Sequence, residues 1–121
     1  MQASEIISQD AQRSGVNPDV LLSHISKLVG LHTSTLMQKG NSVLQVTMIA
    51  PKTAELHLYT VDTPNGLKTS IQEFFSEFKS HGIIHTFYGK ADNPHIIPFM
   101  KSAGIPVEES NNPKYNWMVR I

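Results

Sequence analysis

Cysteine is absent from this chain of 121 residues. Its absence excludes disulfides, thiolate catalysis and Cys-ligated zinc, and leaves the redox compartment unmarked. Net charge is absent as well: ten Lys and Arg offset ten Asp and Glu, and the pI is about 7.0. General binding to nucleic acid or anionic lipid needs a basic stripe, so neither is an expected partner. No stretch approaches the roughly 20 apolar residues of a membrane helix. Met1 to Asp10 carries acidic residues and no long apolar run, which fits neither a signal nor a transit peptide. These absences predict a cytoplasmic protein with no membrane association. The length predicts one domain over residues 1–121, with 1–16 as a helical extension.

What is present is clear punctuation. Asn17-Pro18, Thr63-Pro64 and Asn93-Pro94 each place a capping side chain before a proline. The proline lacks an N–H that the first helical position would leave unpaired anyway. Gly15, Gly30, Gly82 and Gly104 stand where helices should stop. Four helices are therefore expected, at about 3–14, 18–29, 64–81 and 94–103. The third carries the strongest signal: Ile71, Phe74, Phe75 and Phe78 fall on one stripe and should be buried. Pro98 should remove one backbone bond from the fourth and bend or loosen its first turn.

Strands fill the gaps. Residues 35–38 and 43–49 flank the hairpin turn Lys39-Gly40-Asn41-Ser42. Further strands are expected at 54–61, 83–88, 106–109 and 115–121. Trp117, Tyr115 and Val119 alternate along the last and read as core or interface. The order is α-α-β-β-β-α-β-α-β-β, an α/β chain. Its third helix joins two strands as a crossover, so residues 54–61 and 83–88 should pair in parallel within a mixed, mostly antiparallel sheet.

This order resembles the GNAT N-acetyltransferase fold after its first strand, over roughly residues 17–121. The most specific local likeness is Asn93, Ile96, Met100, Gly104 and Ile105, whose spacing matches the family's Asn, apolar, Tyr, Gly-Phe series. The resemblance implies acetyl-CoA as cofactor. Its diphosphate would be held where the third strand of this chain meets the long helix, in a loop of the form Gln/Arg-x-x-Gly-x-Gly/Ala. The residues there are Val61, Asp62, Thr63, Pro64, Asn65, Gly66, Leu67 and Lys68. Two glycine positions become Asn65 and Leu67, no Gln or Arg precedes them, and Pro64 removes a donor. The candidate cofactor-binding residues are thus Val61, Asn65, Gly66, Leu67, Lys68 and Asn93. Met100 stands where the family has a tyrosine that protonates the leaving thiolate, and a thioether is no acid. Tyr88 and Tyr115 are the spatial alternatives.

Glu55 and His57 share one face of their strand and are the candidate general bases. The alternative for both is a polar surface face or a hydrogen-bonded buried pair. His81 and His85 have the spacing of a helical metal pair, but Gly82 ends the helix between them, so no metal site is expected.

Two functions remain open. The first expectation is a protein that keeps this fold with a degenerate cofactor site. It would need no cofactor and act by binding or as a structural component, with a protein partner or by self-association. The compact, neutral chain is similar to small phage-encoded proteins of this fold, for which a host cytoplasm or a virion is the expected location. The alternative is an acetyl-CoA-dependent N-acetyltransferase acting on an amine of a small molecule or a protein.

Overall fold

The computed structural model describes residues 1–91 and 95–121. Helices α1 (Ala3–Arg13) and α2 (Pro18–Gly30) come first. Strands β1 (Ser34–Lys39), β2 (Ser42–Ala50) and β3 (Thr53–Thr60) form a meander. Helix α3 (Pro64–His81) then crosses over to β4 (Thr86–Gly89). Helix α4 (Ile96–Ser102), β5 (Val107–Glu109) and β6 (Trp117–Arg120) complete the chain. The six strands form one sheet in the order β1-β2-β3-β4-β6-β5, antiparallel except for β3 beside β4.

Local chemistry sets the helix ends. The Asn17 Oδ1 accepts from the N–H groups of Asp19 and Val20 at 3.0 and 3.3 Å. Thr63 Oγ1 accepts from Gly66 N–H at 3.2 Å, with Pro64 in the first turn. Gly82 closes α3 at a φ of +65°, donating to Phe78 O at 3.1 Å. Gly30 does not play this part: it is the last helical residue of α2, and His32 takes the left-handed turn at φ +58°. The expected helix start at Asn93-Pro94 lies outside the described residues. With α4 opening at Ile96, Pro98 falls in the first turn, where a missing N–H breaks no helical bond and no bend is required.

Two strand readings need correction. The strand expected from Ile83 begins at Thr86, because pairing to β3 begins there. Ile83 is 67% exposed, an apolar residue without a strand neighbour to cover it. The strand expected from Tyr115 begins at Trp117. Outside the pleat, Tyr115 leaves the face shared by Trp117 and Val119, so it joins neither the core nor that stripe.

The sheet is covered on both faces, and alternation along the strands decides what goes where. Ala54 and Leu56 of β3, Leu44 and Val46 of β2, Phe87 of β4, and Trp117 and Val119 of β6 pack against Ile71, Phe74, Phe75 and Phe78 of α3 and Met100 of α4. Phe78 and Phe87 lie 4.6 Å apart between ring centroids, and Phe75 meets both edge-on. On the other face Val43 and Tyr59 meet Ile6 and Ile7 of α1 and Ile25 of α2. Helix α1 thus packs on β2 and β3 through a short, fully buried stripe.

Candidate functional site

The parallel pairing of β3 and β4 runs from Thr53–Thr86 to Leu56–Gly89 and ends there. Strand β3 continues for four residues beyond it, paired with β2 alone. The direction of its backbone groups follows from its flanks. The Lys52 carbonyl accepts from the His85 and Thr86 N–H groups, whereas Val61 N–H donates to Asn41 O, next to β2. Even-numbered residues of β3 therefore turn their N–H and C=O toward β4, and odd-numbered ones toward β2. Leu58 and Thr60 point theirs where β4 has ended.

A cavity of about 370 Å³ opens at this divergence. Its wall on the α3 and α4 side is apolar: Leu44, Leu56, Leu58, Ile71, Phe74 and Phe75, with Ile96, Met100 and Trp117. Asp10, Ser14 and His57 contribute from the α1 side, and Lys90 and Ala91 from the end of β4. The cleft thus passes between the strands from one face of the sheet to the other. Gly89 is essential to its floor. A Cβ there would overlap Cε2 and Cζ2 of Trp117, so only glycine lets the indole lie across the last paired residue of β4.

The α1 side of the cleft carries the titratable groups. Tyr115 Oη donates to Glu55 Oε2 at 2.6 Å. That bond, more than desolvation, pushes the Tyr115 phenol up to about 12. Tyr115 stacks on Tyr88 at 5.2 Å, and Tyr88 Oη donates to Asn111 Oδ1 at 2.9 Å. The next residue on this strand face, His57, stacks on Tyr59 at 4.5 Å. Desolvation lowers the His57 pKa below its ordinary 6.5, while the charges of Asp10 and Glu55 oppose the shift. His57 keeps an exposed edge and stays neutral at pH 7. Burial raises the Asp10 carboxyl, opposed chiefly by its hydrogen bond from the Thr60 backbone. Asp10 therefore faces the Thr60 N–H, one of the two that the divergence frees. Tyr59, pushed up to about 12 mainly by burial, donates to Gln45 Oε1 at 3.1 Å.

Glu55 and His57 do share one face, and His57 lines the cleft. Of the residues expected to hold a diphosphate, none of Val61, Asn65, Gly66, Leu67 and Lys68 lines the cavity. Val61 packs on the α1 cluster, Leu67 on the main core, and the Gly66 N–H is taken by Thr63. Asn93 lies outside the described residues. Met100, 3% exposed, forms part of the wall, while Tyr88 and Tyr115 stand together on the opposite face. His81 lies 3.9 Å from Glu77, and His85 Nδ1 lies 3.3 Å from Ile121 O. No group of three metal-ligating side chains occurs among the described residues. No helix among them is long and apolar enough to cross a membrane.

Sequence reasoning missed Asp10, Lys90, the Tyr115–Glu55 bond and the Gly89–Trp117 contact. Asp10 left one signal: it follows Ile6 by four residues and so sits on the stripe that α1 turns to the sheet.

No family model matches the chain, and no curated protein matches it. Solved structures do. The microcin C7 self-immunity acetyltransferase MccE, in complex with acetyl-CoA and AMP, aligns with a TM-score of 0.57 at 13% identity, over 86% of this chain and 70% of that one. The ribosomal L7/L12 α-N-protein acetyltransferase RimL, in complex with coenzyme A, aligns with a TM-score of 0.53 at 15% identity, over 84% and 67%. The chain has the GNAT fold, in divergent form.

Proposed function

We propose that the protein is an N-acetyltransferase, moving an acyl group from a thioester to an amine across the β3–β4 cleft. One observation carries this reading: the divergence beyond Leu56–Gly89 opens a cleft with an apolar wall on one face and a neutral imidazole on the other. The acetyltransferase neighbours, solved with acetyl-CoA and with coenzyme A, support it at the level of fold.

The chain's own groups fit the chemistry. The apolar wall suits the thioester and its arm, and excludes water from the reacting carbon. The Leu58 N–H, aimed into the gap, can donate to the thioester oxygen as negative charge builds there. As the amine nitrogen bonds to the carbonyl carbon and the C–S bond breaks, His57 takes the proton the amine loses. Glu55, held by Tyr115, keeps a negative charge beside the imidazolium that forms. The thiolate takes its proton from solvent, because the thioether of Met100 has none to give.

That last feature also favours the second reading, a protein of this fold that binds its ligand or partner without turnover. An acyl-transfer assay separates the two. The full chain is incubated with S-acetylpantetheine or acetyl-CoA and a panel of amines, and amide products are followed by mass spectrometry. Transfer above the uncatalysed rate is expected, reduced on the order of 10²- to 10⁴-fold in His57→Ala. Transfer that survives the double change Glu55→Gln and His57→Ala removes the base assignment. Absence of transfer from either donor favours the binding reading.

A further inference from the structure

The cavity lining on β3 ends at Leu58, and the same unpaired edge continues to Thr60, with Asp62 just beyond it; in the other direction the strand pairing closes the cleft. An extended arm covers the four residues from Leu58 to Asp62 in about 13 Å, and it meets two carboxylates. Asp10 lines the cavity and faces the Thr60 N–H. Asp62 is built into the fold: Oδ2 accepts from Ser42 Oγ at 2.7 Å, from Asn41 N–H at 3.1 Å and from Ser70 Oγ at 3.4 Å, and Oδ1 also lies 3.3 Å from Asn41 N. It rests against the first turn of α3, where a Cβ on Gly66 would come within 3.3 Å of Oδ1. Two of the three donor positions of that turn are unavailable, since Pro64 has no N–H and Thr63 takes the Gly66 N–H, which leaves the single N–H of Asn65. The position a diphosphate would need thus presents a carboxylate and no free nest of N–H groups. Among the described residues of the cleft wall the one cation, Lys90, stands at the end of β4 instead.

We propose that the cleft recognises its donor through the thioester and an uncharged pantetheine-like arm, and gains no affinity from the diphosphate of coenzyme A. This rests on the acyl-transfer reading for the thioester's place, but binding alone can test it. Amide chemical shifts of the full chain are followed by NMR during titration with S-acetylpantetheine, with acetyl-CoA and with ADP. The first two are expected to bind within about threefold of each other, and ADP to leave the Gly66 and Leu67 amides unmoved. Raising salt should tighten acetyl-CoA selectively, because it screens the repulsion from Asp10 and Asp62. Asp62→Asn keeps the shape and removes a charge, and should likewise favour acetyl-CoA alone. If that variant fails to fold, the three titrations of the unaltered chain decide the matter. Acetyl-CoA binding more than about tenfold tighter than S-acetylpantetheine, a difference of about 1.4 kcal/mol, overturns the proposal. So does an ADP response at Gly66. Equal thioester binding without transfer to any amine leaves this inference standing and sinks the enzymatic reading. If neither thioester binds, both fall.

Discussion

The two halves of β3 have the same pleat and different surroundings. From Thr53 to Leu56 the strand is paired on both edges, and its side chains toward α3, Ala54 and Leu56, are 0% and 4% exposed. From His57 to Thr60 one edge is free, and the same alternation exposes backbone donors and a cavity instead of a core. The first half is stabilised by burial and by pairing on both edges, with a register shift between Met48 and Ala50 on the β2 side. The second gives up half its ladder to create a site. The difference comes from where β4 ends, at Gly89 under Trp117, and not from any change in the residue types of β3.

Substitutions behind the closed half should therefore act on stability, and those in the open half on function. The largest effect is expected for Phe87→Ala. The ring is fully buried among Phe75 and Phe78, and its loss should cost about 3–5 kcal/mol in denaturant unfolding. A cost below about 1 kcal/mol would mean that the closed half is not a packed core.

Next in size is His57→Ala. Loss of a general base should slow transfer on the order of 10²-fold or more, equivalent to about 2.7 kcal/mol of barrier. Its denaturation midpoint should stay near that of the unaltered protein, since His57 is exposed. A protein that loses stability and rate together would erase the distinction between the halves.

Gly89→Ala lies on the boundary. The added methyl has no room beneath Trp117, and overpacking of this kind costs about 1–3 kcal/mol. A double-mutant cycle with Trp117→Phe should show coupling of about 0.5–3 kcal/mol, because a smaller ring makes room. Purely additive effects would show that the indole does not lie over Gly89.

The smallest expected effect is a pKa change. Asp10 raises the His57 pKa, so Asp10→Asn should lower it further, as read from the imidazole proton shifts by NMR. The sign for stability follows. A histidine whose folded pKa lies below 6.5 favours the fold while neutral, and that contribution is lost as the pH falls below 6.5 through the folded value. Asp10→Asn should move the acid limb of the rate profile to lower pH. A shift upward would mean that Asp10 and His57 do not share the cleft.

Much of this arrangement was legible in the chain. Thr63-Pro64 and Gly82 bound α3 at Pro64 and His81, and the stripe of Ile71, Phe74, Phe75 and Phe78 names its buried face. The order of elements implies that β3 and β4 run in parallel, and period two puts Glu55 and His57 on one face. These features are local: capping, φ restriction and periodicity act within a few residues and need no partner. The expected strand at Ile83 failed because apolar content does not say whether a neighbour is present to pair.

What only the tertiary structure decided lies between distant segments. Glu55 and Tyr115 are 60 residues apart, and Asp10 reaches Thr60 across 50 positions. The β3–β4 pairing ends, and the cleft opens, where Trp117 crosses over Gly89. The sequence alone determined the order of helices and strands and, within the regular elements, which face each side chain takes. The closing of long loops determined which of those side chains meet, because such contacts are selected by the packing of the whole sheet and leave no periodic trace along the chain.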